Sequence, residues 1–107
     1  MLLVFCTFPD SEKARQIGTL MVERQLVACV NLLPGVESIY RWQGKVETAA
    51  EVLAVFKTTA EAFREFEKVL AELHPYDVPE IVAVSPEKVA EPYAKWVGDA
   101  VVFEEPT

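Results

Sequence analysis

Apolar and polar positions follow two periods along this chain, and the switches between them mark out its elements. Residues 2–8 are a nearly continuous apolar run, the pattern of a central strand buried on both faces. Pro9 ends the run, and Asp10 or Ser11 can cap a following helix. In that helix Ala14, Ile17, Leu20 and Met21 fall on one face at helical spacing. Period two takes over at residues 28–42, where Val36, Ser38, Tyr40 and Trp42 alternate with Glu37, Ile39 and Arg41. It recurs at residues 45–58, where Val52, Ala54 and Phe56 alternate with Leu53, Val55 and Lys57. Gln43-Gly44 separates these arms, and a glycine there supplies the positive φ of a tight turn. The two arms predict one long β-hairpin.

Length makes this hairpin informative. Such an arm spans about 50 Å at roughly 3.3 Å per residue, while a compact domain of this size is about 35 Å across. The tip must overhang its own domain or bend, and Pro34-Gly35 is the place for a bend or bulge. A two-stranded ribbon alone in water is marginally stable at best, and Ile39, Tyr40 and Trp42 are costly to leave wet. The tip therefore calls for a partner, and the nearest candidate is another copy of the chain.

Thr58 with Glu61 matches a capping box, and a second helix runs from there to about residue 73. Phe63, Phe66, Val69, Leu70 and Leu73 form its apolar stripe, opposite a charged face carrying Glu61, Arg64 and Glu72. The segment His74-Pro75-Tyr76-Asp77-Val78-Pro79-Glu80 is irregular because its prolines block a helix. Residues 81–84 read as a short strand. Ser85-Pro86 reads as the start of a third helix, interrupted by Pro92 and ended by Gly98, with Tyr93, Trp96 and Val97 on its apolar side. Residues 100–103 read as a last edge strand. The order is the split β-α-β pattern of an α+β, ferredoxin-like sandwich with a long hairpin and an extra C-terminal helix, one domain over residues 1–107. The first two helices cover one face of its sheet, and the open face is a second reason to expect oligomers.

The 107 residues are 51% hydrophobic and 25% charged, a globular balance. A net charge of -7 argues against nucleic acid or anionic membrane as partner and leaves cations, basic peptides or protein surfaces. Two cysteines, Cys6 and Cys29, make no disulfide scaffold and favour a reducing, cytoplasmic home. No apolar run approaches the roughly 20 residues of a membrane span, and residues 1–5 read as strand rather than as a signal peptide. The sequence has no Walker loop, GxGxxG or EF-hand loop.

His74 is the single histidine and lies where the second helix ends. The topology brings that end to the end of the first strand, near Cys6. Thiolate and imidazole suit copper or zinc better than magnesium or calcium. The plainer reading is a core cysteine and a histidine favoured by the negative end of a helix. A Cys-His nucleophile would be the enzymatic version, but no third orienting group accompanies the pair. Tyr40, Trp42, Glu47, Glu51 and Lys57 on the hairpin read either as packing and solvated charge or as a cleft between subunits. Glu80 is either part of that cleft or a strand-start charge.

With the hairpin and residues 74–80 in view, the chain resembles the CutA family of divalent-cation tolerance proteins. The resemblance rests on Leu26-Val27-Ala28-Cys29-Val30-Asn31, Pro34-Gly35, residues 38–45, Glu51, Lys57-Thr58 and residues 74–80, in family order. It implies a non-enzymatic, cytoplasmic homotrimer that acts in tolerance to copper and other divalent metals, with long hairpins linking its subunits. It implies Cys6 and His74 as metal ligands, with Leu73 where a further histidine stands in some members. Tyr40, Trp42, Glu51, Lys57, Tyr76 and Glu80 would then lie at subunit contacts or in a cleft. The family's likeness to PII signalling trimers implies an alternative, a signalling or scaffolding module that holds a metabolite or protein between subunits.

Overall fold

The structure is a computed structural model and describes residues 1–103. Its elements are β1 (Leu2–Phe8), α1 (Ser11–Glu23), β2 (Cys29–Trp42), β3 (Lys45–Thr58), α2 (Ala60–Leu73), β4 (Val82–Val84) and α3 (Glu91–Ala100). The sheet order is β2-β3-β1-β4, with every neighbouring pair antiparallel. This is the expected split β-α-β arrangement, an α+β fold. Val4, Cys6 and Phe8 of β1 and Val52, Ala54 and Phe56 of β3 form a buried core with Ala14, Ile17 and Met21 of α1 and Phe66, Val69 and Leu70 of α2. Asp10 starts α1, its carboxylate accepting from the Lys13 N–H at 2.7 Å.

The opposite face is thinly covered. Leu3, Phe5, Leu53 and Val55 are half-buried there, and Leu33, Val82 and Val84 are exposed. So β1 is not buried on both faces: only its helix-side residues are, because α3 docks at the sheet's end instead of across it. Val97 and Val101 pack there with Ala28 and Ala62, and the Val102 N–H bonds the Gln25 carbonyl at 3.0 Å.

The hairpin turns at Gln43 and Gly44, with φ of 49° and 78°, as a two-residue loop matched to strand twist requires. A register shift between Leu33 and Val36 marks the bulge, where Gly35 takes a φ of 79°. Beyond it, β2 and β3 pair only with each other, since the β1 ladder on β3 begins at Val52. The tip overhangs the rest of the fold.

Several boundaries differ from the expected ones. Thr59, not Thr58, caps α2, its Oγ1 accepting from the Ala62 N–H at 3.2 Å. Thr58 is the last residue of β3 and fully buried, and its hydroxyl donates to the Leu26 carbonyl at 2.6 Å. Leu73 falls off the buried stripe and is 41% exposed. No helix starts at Ser85-Pro86. Pro92 sits in the first turn of α3, where its missing N–H breaks no bond, and Gly98 lies inside the helix. Within α3 only Val97 is buried, and residues 101–103 form no strand. Among the described residues, no helix is long and apolar enough to cross a membrane.

Candidate functional site

Cys6 and His74 both approach one backbone carbonyl. The Thr7 oxygen is 2.8 Å from His74 Nε2 and 3.8 Å from Cys6 Sγ. His74 follows α2 directly, its backbone N–H still bonded to the Leu70 carbonyl at 2.9 Å, so the helix end aims the ring at β1. There it stacks on Phe8 with ring centroids 4.7 Å apart. Nδ1 accepts the Tyr76 N–H at 3.0 Å, so the neutral ring carries its proton on Nε2 and donates it to Thr7. Burial lowers the histidine pKa against the opposing pull of the Thr7 carbonyl and Glu51. His74 is thus held neutral and is not a helix-end cation. Burial, with Glu80 and Glu51 adding to it, pushes the Cys6 thiol up to about 12, so it carries its proton.

As they are arranged, neither Cys6 nor His74 presents a free ligand atom to a metal. A metal ligand needs a free imidazole lone pair or a thiolate. Both nitrogens of His74 are engaged in hydrogen bonds, and Cys6 is fully buried with its proton on. Among the described residues, no group of three or more His, Cys, Asp or Glu side chains converges to hold a metal ion.

A second site forms where the hairpin tip leaves the sheet. Period two sets Ser38, Tyr40 and Trp42 of β2 and Ala49 and Glu51 of β3 on one side of the ribbon. The segment 74–80, pinned by His74, closes a cleft of about 710 Å³ with them. Tyr76 bridges its two walls, donating its hydroxyl proton to Glu51 Oε2 at 2.6 Å. Burial first, and then that bond, raises the tyrosine pKa, which keeps the phenol neutral and donating. Tyr40, Trp42, Glu51, Tyr76 and Glu80 are all brought together here. Lys57 is not: it lies toward the far end of β3 and donates to Asn31 Oδ1. Asp77 lines the cleft and was not singled out from the sequence, although its place beside Tyr76 in the irregular segment was the available signal.

An antiparallel α+β sandwich with an overhanging hairpin, and a cleft at the hairpin's root, is the class of protein that this geometry defines. The family model for the CutA1 divalent ion tolerance protein matches residues 2–100. The chain is 45% identical to the divalent-cation tolerance protein CutA of Thermus thermophilus, over 89% of this chain and 92% of that one. It is 40% identical to the Thermococcus kodakarensis protein of the same name, over 90% and 91%. Among solved structures, it superposes on CutA1 from Oryza sativa with a TM-score of 0.93 at 32% identity, covering 96% of this chain and 94% of that one. The chain belongs to the CutA1 family of divalent ion tolerance proteins.

Proposed function

We propose that this chain acts as a non-enzymatic, cytoplasmic homotrimer in the response to divalent metal ions, with its ligand cleft at the contacts between subunits. The observation that carries this reading is exposed apolar area on both sides of the hairpin tip, Tyr40 and Trp42 on one and Ile39 and Val46 on the other, together with exposed Leu33, Val82 and Val84 on the open sheet face. Family membership supports the metal response. Metal enters this account as an effector and not as a resident cofactor. Copper best suits a cysteine-histidine pair, and its capture requires His74 to release Thr7 or Tyr76 and Cys6 to lose its proton. Native mass spectrometry tests the reading. The account expects complexes of three times the 12.0 kDa chain mass, with copper retained more weakly by Cys6→Ala than by wild type and more tightly by Leu73→His. A single-chain mass, or copper retention identical in wild type and Cys6→Ala, contradicts it.

The cleft supports a second reading, a PII-like module whose ligand is an organic molecule. Its volume of about 710 Å³ lies within the range of roughly 300–1,000 Å³ that small molecules occupy.

A further inference from the structure

A neutral imidazole has one protonated and one bare nitrogen, so His74 has a single lone pair to give a metal. In this fold the bare nitrogen is Nδ1, which accepts the Tyr76 N–H at 3.0 Å, and the protonated one is Nε2, which donates to the Thr7 carbonyl at 2.8 Å. Two modes of coordination exist, and both meet Tyr76. A metal on Nδ1 takes the place of the Tyr76 N–H. A metal on Nε2 needs the ring proton moved to Nδ1, where it faces the Tyr76 N–H donor to donor. Thr7 keeps its bond in the first mode and loses it in the second, but the Tyr76 bond is lost in both. The ring is 7% exposed, stacked on Phe8 and 4.8 Å from the Tyr76 ring, and Cys6 is fully buried. One chain builds this enclosure by itself, so a neighbouring copy can only add to it.

Residues 75–80 form no helix or strand, and among the described residues no backbone–backbone hydrogen bond holds them. Tyr76 supplies their ties, its N–H to His74 and its hydroxyl to Glu51 Oε2 at 2.6 Å. A segment tied at so few points opens far more readily than the sheet beside it. We propose that the Tyr76 N–H is the gate of the Cys6–His74 pair. The ring becomes a ligand only when residues 75–80 lift away from it, and a captured metal holds them away. This rests on the reading of Cys6 and His74 as copper ligands and of the cleft beside them as a subunit contact. The displaced segment then carries the binding event from the core to that contact. In the capture step the Cys6 S–H bond breaks, its proton leaves to solvent, and a copper–sulfur bond forms with no change in oxidation state.

Hydrogen exchange of the full chain reads the gate directly. Copper(I), kept anaerobic, is the probe, since thiolate is a soft ligand that suits it. A ligand of the native state ordinarily protects amides. Here the Tyr76 amide should instead exchange about tenfold faster or more in the copper-loaded chain than in the copper-free one, because its acceptor is gone. Stopped-flow absorbance of the copper–thiolate bond gives the capture rate. It should level off as copper is raised, at the rate at which the segment opens. Tyr76→Phe removes the tie to Glu51 and no ligand, and it should raise that ceiling by about tenfold with the copper stoichiometry unchanged. Glu65→Gln, on α2, should leave the ceiling where it is. A capture rate that stays proportional to copper, a Tyr76 amide that exchanges no faster in the loaded chain, or a ceiling unmoved by Tyr76→Phe overturns the gate and leaves the ligand reading standing. Copper binding that is equal in wild type and Cys6→Ala removes the ligand reading, and the gate with it.

Discussion

The two halves of β3 obey the same alternation in different surroundings. Residues 52–58 lie between β1 and β2, with Val52, Ala54, Phe56 and Thr58 buried beneath the helices. Residues 45–51 have β2 alone beside them, and most are exposed. Alternation decides which way a side chain faces, but a third element has to supply the cover. At the base, burying a residue such as Phe56 is worth about 1.5–3 kcal/mol. At the tip Ile39 is 65% exposed and Trp42 61%, so comparable energy goes unused within one chain and is available to association. The cleft sits at the junction of the halves, where the four-stranded sheet narrows to a two-stranded ribbon.

The largest expected contrast comes from truncating one aromatic residue in each region. Phe66→Ala empties a fully buried site and should cost about 3–5 kcal/mol at every protein concentration. The same loss for Trp42→Ala requires a buried ring, which the single chain does not provide. Its effect should therefore show only at concentrations where copies associate, and urea unfolding over a dilution series separates the two cases. A Trp42→Ala loss that ignores concentration would break the comparison.

Thr58→Val comes next. It preserves shape but strands the Leu26 carbonyl beneath the helices, which should cost about 1–3 kcal/mol in urea unfolding. An unchanged midpoint would mean that this bond contributes nothing at the base. Gly35→Ala probes the bulge that divides the regions. A methyl group there meets nothing within 4 Å, so the cost is the left-handed backbone alone, about 1–2 kcal/mol. A neutral result would show the bulge relaxing to a negative φ.

The weakest lever is pH. In the folded chain the His74 pKa lies below its ordinary value of 6.5. As pH falls through about 6.5 the unfolded chain takes up a proton that the folded chain resists, so stability declines until the folded pKa is reached. Among the described residues, Glu51 is the charged group that acts on the ring, and no Lys, Arg or Asp shifts it. Urea midpoints on either side of about pH 6 should show the decline in wild type and less of it in His74→Gln. Equal declines would place the titrating group elsewhere.

Local chemistry explains which parts could be read from the sequence. Gln43-Gly44 and Pro34-Gly35 announced the turn and the bulge because both places need unusual φ values. The cleft was legible in part, because period two sets Tyr40, Trp42 and Glu51 on one side of the ribbon and the prolines mark residues 74–80 as irregular. The start of α3 was not, since Pro92 is as compatible with a first turn as with a break. Thr58 and Thr59 look alike as caps, and only the core decides which hydroxyl turns inward. Topology placed Cys6 and His74 at the same end of the sheet, but the hydrogen bonds that occupy both imidazole nitrogens depend on the loop's path, which no periodicity records. Lys57 shares a strand and a face with Glu51, yet it stands about 20 Å along β3 at roughly 3.3 Å per residue, outside the cleft.

The most direct test of the claim that neighbouring copies hold the tip is hydrogen exchange of the amides in residues 45–51, read against residues 52–58 at decreasing protein concentration. A lone two-stranded ribbon opens readily, so its amides exchange quickly even when paired. The account predicts slow exchange in both halves at micromolar concentration and loss of protection on dilution confined first to residues 45–51. Tip amides that exchange quickly at every concentration, or that stay protected at all of them, would contradict it.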